Sequence, residues 1–518
     1  MVRVGVARLA AAGLCACWLG FPVPPAVAET QAPLSVIDWL GAQGGQIAPQ
    51  PTALANPDEP PVARTATVPD VNVTPLGEGG PRLIGLVPSS VTGLPENLWT
   101  GSDPARLARL IADLPDLQLP AAQALLYTVL LAEARAPGNR PSDGDKLALA
   151  RVEKLVARGA LDPALSLVEQ AGVTTTPAHF ELWMRISLLT GTEDRACAVL
   201  DAAPHLTQDY GTRMFCDARA SRWENAALTY GSAQALGLMP PETLEVMGRF
   251  LDPETADGLT APEIPRQMDP LTFRLFEAIG EPVPTGNLPR PYAVADLRDI
   301  AGWKAQIEAA ERLTRAGALP DNRLLGLYTD RKPAASGGVW DRVSALQRFE
   351  TALASGSSEA VAKTLPAVWK AMQEAGLEVT FAALFAEPLA PYTLAGEAGN
   401  IAEKVQLLSP AYEVAGRQAL ENPLAARIAL GEAPSKRPGD VIPAAIHDAF
   451  TGAPPRADLV GMVAEDRLGE AILQVLDMLH EGAGGKARAL TDALATLRAL
   501  GLEDTARRAA LQILLLER

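Results

Sequence analysis

Histidine is almost missing from this chain: His179, His205, His447 and His480 are the only four in 518 residues. None has a partner at the i+4 spacing of a helical metal pair. Neither a zinc set nor a nucleophile–base pair can be assembled, and each reads as a surface or packing residue. Aromatics are sparse too, at 5% against 48% hydrophobic residues, which leaves Ala and Leu to fill an interior of helix packed on helix. Basic charge falls short of acidic charge, 45 Lys and Arg against 61 Asp and Glu, for a net −16. Nucleic acid and anionic lipid both demand basic surface, so neither is an expected partner. No stretch alternates apolar and polar residues for long enough to build a substantial sheet. Past the N-terminus, no apolar run is long enough to span a bilayer. Acidic residues are plentiful but lie mostly on solvated helix faces, so no catalytic carboxylate pair stands out. The chain offers no catalytic residue, no metal set and no cofactor motif.

What is there begins with a processing signal. Arg3 and Arg8 form a short basic region, an uncharged apolar run follows over residues 9–21, and Ala26-Val27-Ala28 is a small-x-small cleavage site. Cleavage after Ala28 would leave a net charge of −18 on a product expected in the periplasm and soluble. A rival, lipidation at Cys17, leaves a very short apolar region. Export removes Cys15 and Cys17 and leaves Cys197 and Cys216, an even pair in an oxidising compartment and so most simply one disulfide.

Residues 29–100 are rich in Pro and Gly and read as a flexible arm. One island departs from this, Leu34-Ser35-Val36-Ile37-Asp38-Trp39-Leu40, in which Val36, Ile37, Trp39 and Leu40 are candidate partner-binding residues. The alternative is that it folds back onto its own chain. Two further islands, 83–87 and 94–99, are expected to cover the first helices as a cap. From Asp103 the texture becomes helical, with Pro104 at a first turn and breakers such as Gly159, Gly172, Gly191 and Gly237. The predicted fold is all-α, in two lobes over 101–252 and 301–518, joined by a Pro-rich connector over 253–300. The predicted helices include 121–136 and a long one over 456–481.

A recurring step organises these helices. Trp223, Ala226, Tyr230 and Ala233 follow at three, four and three residues, which keeps them on one helical face. Leu161, Ala164, Val168 and Ala171 repeat the step, as do Glu193, Ala196, Leu200 and Ala203. Leu468, Ala471, Val475 and Met478 do so near the C-terminus, and Glu503, Ala506, Ala510 and Ile513 more loosely. The starts at 161, 193 and 223 recur near the period of a helix-turn-helix repeat, so the chain resembles a degenerate tetratricopeptide array through its second helices. The first-helix Trp, Leu, Gly and Tyr positions are mostly unfilled.

Two loops invite chemistry. The run from Gly482 to Ala487 looks like a phosphate loop, but His480 stands where the first Gly belongs, Ala487 replaces Ser or Thr, and no strand precedes it. Ser336, Gly337, Gly338, Trp340 and Arg342 form the better candidate, an anion or ligand loop opening a helix. Its bland reading is a helix entry with Trp340 in the core.

Wider stretches resemble a family of exported, Ala-rich helical proteins of alphaproteobacteria, some labelled antifreeze glycopeptide polyprotein. They are the 35–40 island, Gly93-Leu94-Pro95 with Leu98-Trp99, Phe215-Cys216 with Arg249-Phe250-Leu251-Asp252, and 336–342 with the helix after it. Tandem Ala-Ala-Thr tracts, which ice-binding glycopeptides require, are missing. The resemblance implies an envelope location and no catalytic residues. Two functions are therefore expected to compete. One is a non-catalytic scaffold holding an envelope protein or peptide partner. The other is a peptidoglycan-associated accessory, akin to the superhelical part of lytic transglycosylases but without their catalytic segment.

Overall fold

The structure, a computed structural model, describes residues 83–516 apart from 139, 257, 420–422 and 434–435. The leader with its site after Ala28, Cys17, and the candidate residues Val36, Ile37, Trp39 and Leu40 lie outside the described residues.

Local chemistry sets the helix ends. Asp103 accepts a hydrogen bond from Arg106 N at 2.7 Å with Pro104 at the first position, and Thr176, Asp209, Asp269 and Ser357 cap other helices in the same way. Gly159, Gly191 and Gly237 end theirs in the left-handed region, with φ of 82°, 76° and 62°. The protein is all-α. Among the described residues, β structure is confined to β1 (Leu83–Ile84) paired antiparallel with β2 (Ala134–Arg135) and a bridge from Val87 to Ala132. No helix among the described residues is long and apolar enough to cross a membrane.

Helices adjacent in sequence pair as hairpins, among them Pro141–Arg158 with Leu161–Ala171, Tyr210–Arg219 with Trp223–Leu236, and Leu468–Ala483 with Ala487–Ala499. Five helices start at the first residue of the three-four-three step: Leu161–Ala171, Glu193–Ala202, Trp223–Leu236, Leu468–Ala483 and Glu503–Leu515. The disulfide joins Cys197 to Cys216, with Cα atoms 5.0 Å apart, and so ties the Glu193–Ala202 helix to the Tyr210–Arg219 helix.

Three stretches differ from the sequence expectation, each for a tertiary reason. The helix expected over 121–136 stops at Leu131 and turns into β2. There the carbonyl of Leu131 accepts from Leu86 N and Val87 N. The buried Arg151 guanidinium takes the carbonyls of Leu130, Ile84 and Ala132 at 2.6, 3.0 and 2.8 Å. Burial lowers Arg151 to about 10, so it remains charged at neutral pH. The single helix expected over 456–481 is broken into Ala457–Gly461, a 3-10 turn Met462–Glu465, and Leu468–Ala483, with Asp466 at φ 55° between them.

That break is where residues 94–102 dock. Gly101 N donates to Asp466 O at 3.0 Å, Gly469 N donates to Leu98 O at 2.9 Å, and Trp99 lies fully buried on Gly469. The islands 83–87 and 94–99, expected as a cap on the first helices, belong to the packed structure, the second of them on the late helix Leu468–Ala483 as well. Pro120–Leu131 packs on both Leu468–Ala483 and Glu503–Leu515, and Ala121 N donates to Gln512 Oε1 at 2.9 Å. The first described helices thus rest on the last. The Pro-rich stretch 253–300 is also built into the core through Phe273, Phe276, Tyr292 and Ala293.

Candidate functional site

The loop over 336–342 opens the Val339–Ala354 helix. Gly337 and Gly338 adopt φ of 94° and 56°, and nothing lies within 4 Å of a Cβ built on either, so conformation rather than space requires glycine here. The groups that would hold an anion are already engaged by carboxylates. Arg342 donates to Glu311 through Nε at 2.8 Å and Nη2 at 2.6 Å, and Tyr328 Oη donates to the same buried carboxylate at 2.6 Å. Gly337 N donates to Asp341 Oδ1 at 3.0 Å, and Arg331 pairs with Asp330. Ser336 is exposed. Trp340 is half-buried, its ring 5.0 Å from that of Trp303, whose Nε1 donates to Leu327 O. Arg342 thus neutralises a buried glutamate, and the Gly337 amide closes a local turn. Trp303 and Trp340, both half-buried, form an aromatic ledge beside it.

His179 and His447 are buried, whereas His205 is exposed. Among the described residues, no group of three or more His, Cys, Asp or Glu is placed to hold a metal ion.

A cleft lies elsewhere among the described residues, and no residue singled out in the sequence lines it. It measures about 700 Å³ and lies between two helices and the Pro-rich stretch. The Pro177–Thr190 helix supplies Phe180, Met184 and Leu188 on one face, and Pro141–Arg158 adds Val156 and Ala157. Leu271, Met268 and the ring of Tyr292 close the other side, flanked by Pro270, Pro289 and Pro291. Tyr292 Oη donates to Met268 O, and burial, helped by the Asp269 charge, pushes the phenol up to about 12. It stays neutral and fixes the wall.

The charged lining is four carboxylates, Glu153, Glu181, Asp209 and Asp269, against one guanidinium, Arg185. Asp209 and Asp269 cap helices, accepting from Thr212 N at 2.7 Å and Thr272 N at 3.0 Å. Glu153, Glu181 and Arg185 are exposed and form no hydrogen bond or ion pair among the described residues. An apolar floor with free charge at its rim suits binding, with burial supplying affinity and the rim orientation. Comparison of the chain with protein-family models, curated proteins and solved structures finds no match to any of them.

Proposed function

We propose that this chain is a non-catalytic binding or scaffold protein of the cell envelope that holds a protein or peptide partner in the cleft between Pro141–Arg158, Pro177–Thr190 and the Pro-rich stretch. The carrying observation is the cleft itself, an apolar floor whose rim residues Glu153, Glu181 and Arg185 form no ion pair among the described residues. In this reading the helices form a degenerate tetratricopeptide-like array in two lobes, an architecture suited to concave binding surfaces. Hairpin pairing and the helix starts at 161, 193 and 223 support it. The leader pattern, the Cys197–Cys216 bridge and the resemblance to exported Ala-rich helical proteins support a periplasmic product cut after Ala28.

The test is capture in cells. A photo-crosslinking residue at Ala157, on the rim, should trap a defined envelope protein, and Met184→Arg should abolish that product. A probe at Leu228, far along the chain, serves as the control. Trapping from Leu228 but not from Ala157 would remove the cleft from the reading. Deleting residues 29–82 in the same assay asks whether Trp39 and its neighbours add to capture. The deletion must stop before Leu83, because Leu98 and Trp99 are core.

A second reading is a peptidoglycan-associated accessory, favoured by the Trp303–Trp340 ledge, since half-buried indoles stack on sugars. Retention of purified protein on cell-wall material, lost in Trp340→Ala, would support it.

A further inference from the structure

We infer that the cleft receives an extended peptide segment in which Lys or Arg side chains accompany apolar ones. The inference rests on the reading of this cleft as a docking site and names the chemistry of what docks there. Its volume of about 700 Å³ suits the side chains of a short segment rather than a domain surface. Phe180, Met184 and Leu188 give it an apolar floor, and two methionines, Met184 and Met268, adapt to side chains of differing shape.

The rest of the lining selects charge. Carboxylates outnumber cations four to one, and Glu153 and Glu181 have no partner among the described residues. Hydrogen-bonding capacity has the same bias. Pro270, Pro289 and Pro291 contribute no N–H, the Tyr292 hydroxyl is already engaged as a hydrogen-bond donor to Met268 O, and the carboxylates only accept. A cleft rich in acceptors and poor in donors matches Lys and Arg, which only donate. An acidic segment would meet four like charges, and a purely apolar one would leave the rim unpaired. The chain's net −16 adds long-range attraction for a cation.

Fluorescence anisotropy of the purified protein tests this, with a labelled eight-residue peptide alternating Lys and Leu and a matched peptide carrying Glu in place of Lys. The Lys peptide should bind and weaken as salt is raised, and the Glu peptide should not bind. Glu153→Gln with Glu181→Gln should weaken binding about tenfold. Met184→Arg should abolish it. Because any acidic protein attracts a cation, Glu359→Gln with Glu397→Gln, exposed on other helices, is the matched control and should change affinity by less than about twofold. Should Met184→Arg fail to fold, the paired Glu→Gln variant still decides.

Equal binding of the Glu peptide, or an equal loss in the control pair, would overturn the inference. The two readings fail separately. Ala157 crosslinking a cellular partner, while the Lys peptide ignores Glu153→Gln with Glu181→Gln, would keep the docking site and discard its cationic preference. Capture at neither level would discard both.

Discussion

Trp223–Leu236 and Leu468–Ala483 carry the same three-four-three step and meet different ends. The first buries only Ala226 and Ala233, and leaves Leu228 and Leu236 at 74% and 71% exposure. The second buries nine residues, from Gly469 to Gly482. Both bury two positions of the step, Ala226 and Ala233 in one and Ala471 and Val475 in the other, while Trp223 is 48% exposed. The difference lies on the other faces. Residues 94–101 and Pro120–Leu131 cover Leu468–Ala483 from more than 300 positions away, while Trp223–Leu236, among the described residues, packs mainly on its sequence neighbours Tyr210–Arg219 and Pro241–Leu251. A periodic step thus specifies one contact, and coverage of the remainder is settled by which distant segment arrives.

The largest test of that contrast is Trp99→Ala. Trp99 is fully buried, and a Cβ on Gly469 would sit 2.3 Å from its ring, so the two surfaces are in intimate contact. Its loss should cost about 4 kcal/mol in chemical denaturation. A cost near that of a surface change would break the comparison.

On the other side, Cys197→Ser should cost about 3 kcal/mol, the entropy of a loop with a separation of 19, read as a lowered melting temperature. Denatured, unreduced protein should show no free thiol from these two cysteines.

Glu470→Gln comes next. Its carboxylate is buried between Arg467, at 2.9 Å, and Arg106, at 2.6 Å, where the chain's early and late helices meet. Burial pushes this acid up, but the Arg467 hydrogen bonds and the nearby guanidinium charges outweigh it and hold the carboxyl below its ordinary value of 4.5. A depressed folded pKa stabilises above the unfolded value and is lost as pH falls through the folded one. The variant should therefore be about 2 kcal/mol less stable at pH 7, with the gap closing as pH drops below 4.5. A gap independent of pH would rule out the charge as its source. Leu228→Ser, at the uncovered face, should change stability by less than about 0.5 kcal/mol.

Much of the fold was legible because its signals are local. Pro104, Pro177 and Pro241 sit in first turns, and Gly159, Gly191 and Gly237 close last ones. One proline was a poor guide, since Pro388 lies inside the Glu378–Leu389 helix, which was expected to end at 385. The 336–342 loop was visible as a glycine-rich helix entry, but its engagement was not, because Glu311 and Asp341 satisfy its donors from an earlier helix and from within the entry itself. The cleft escaped notice because its walls come from positions near 153, 181, 209, 269 and 291, each unremarkable alone. The available hint was Glu181 and Arg185 flanking Met184 on an otherwise apolar face, opposite a stretch crowded with prolines.

Most helices and the cysteine pair could be read from the residues alone, since spacing, caps and an even cysteine count act within a few residues or through simple arithmetic. That Trp99 lands on Gly469, that Arg342 serves Glu311, and that three separated segments enclose a cleft emerges only in the folded chain. Each depends on which distant surfaces meet. Coverage, charge pairing and cavities are properties of that meeting rather than of either partner.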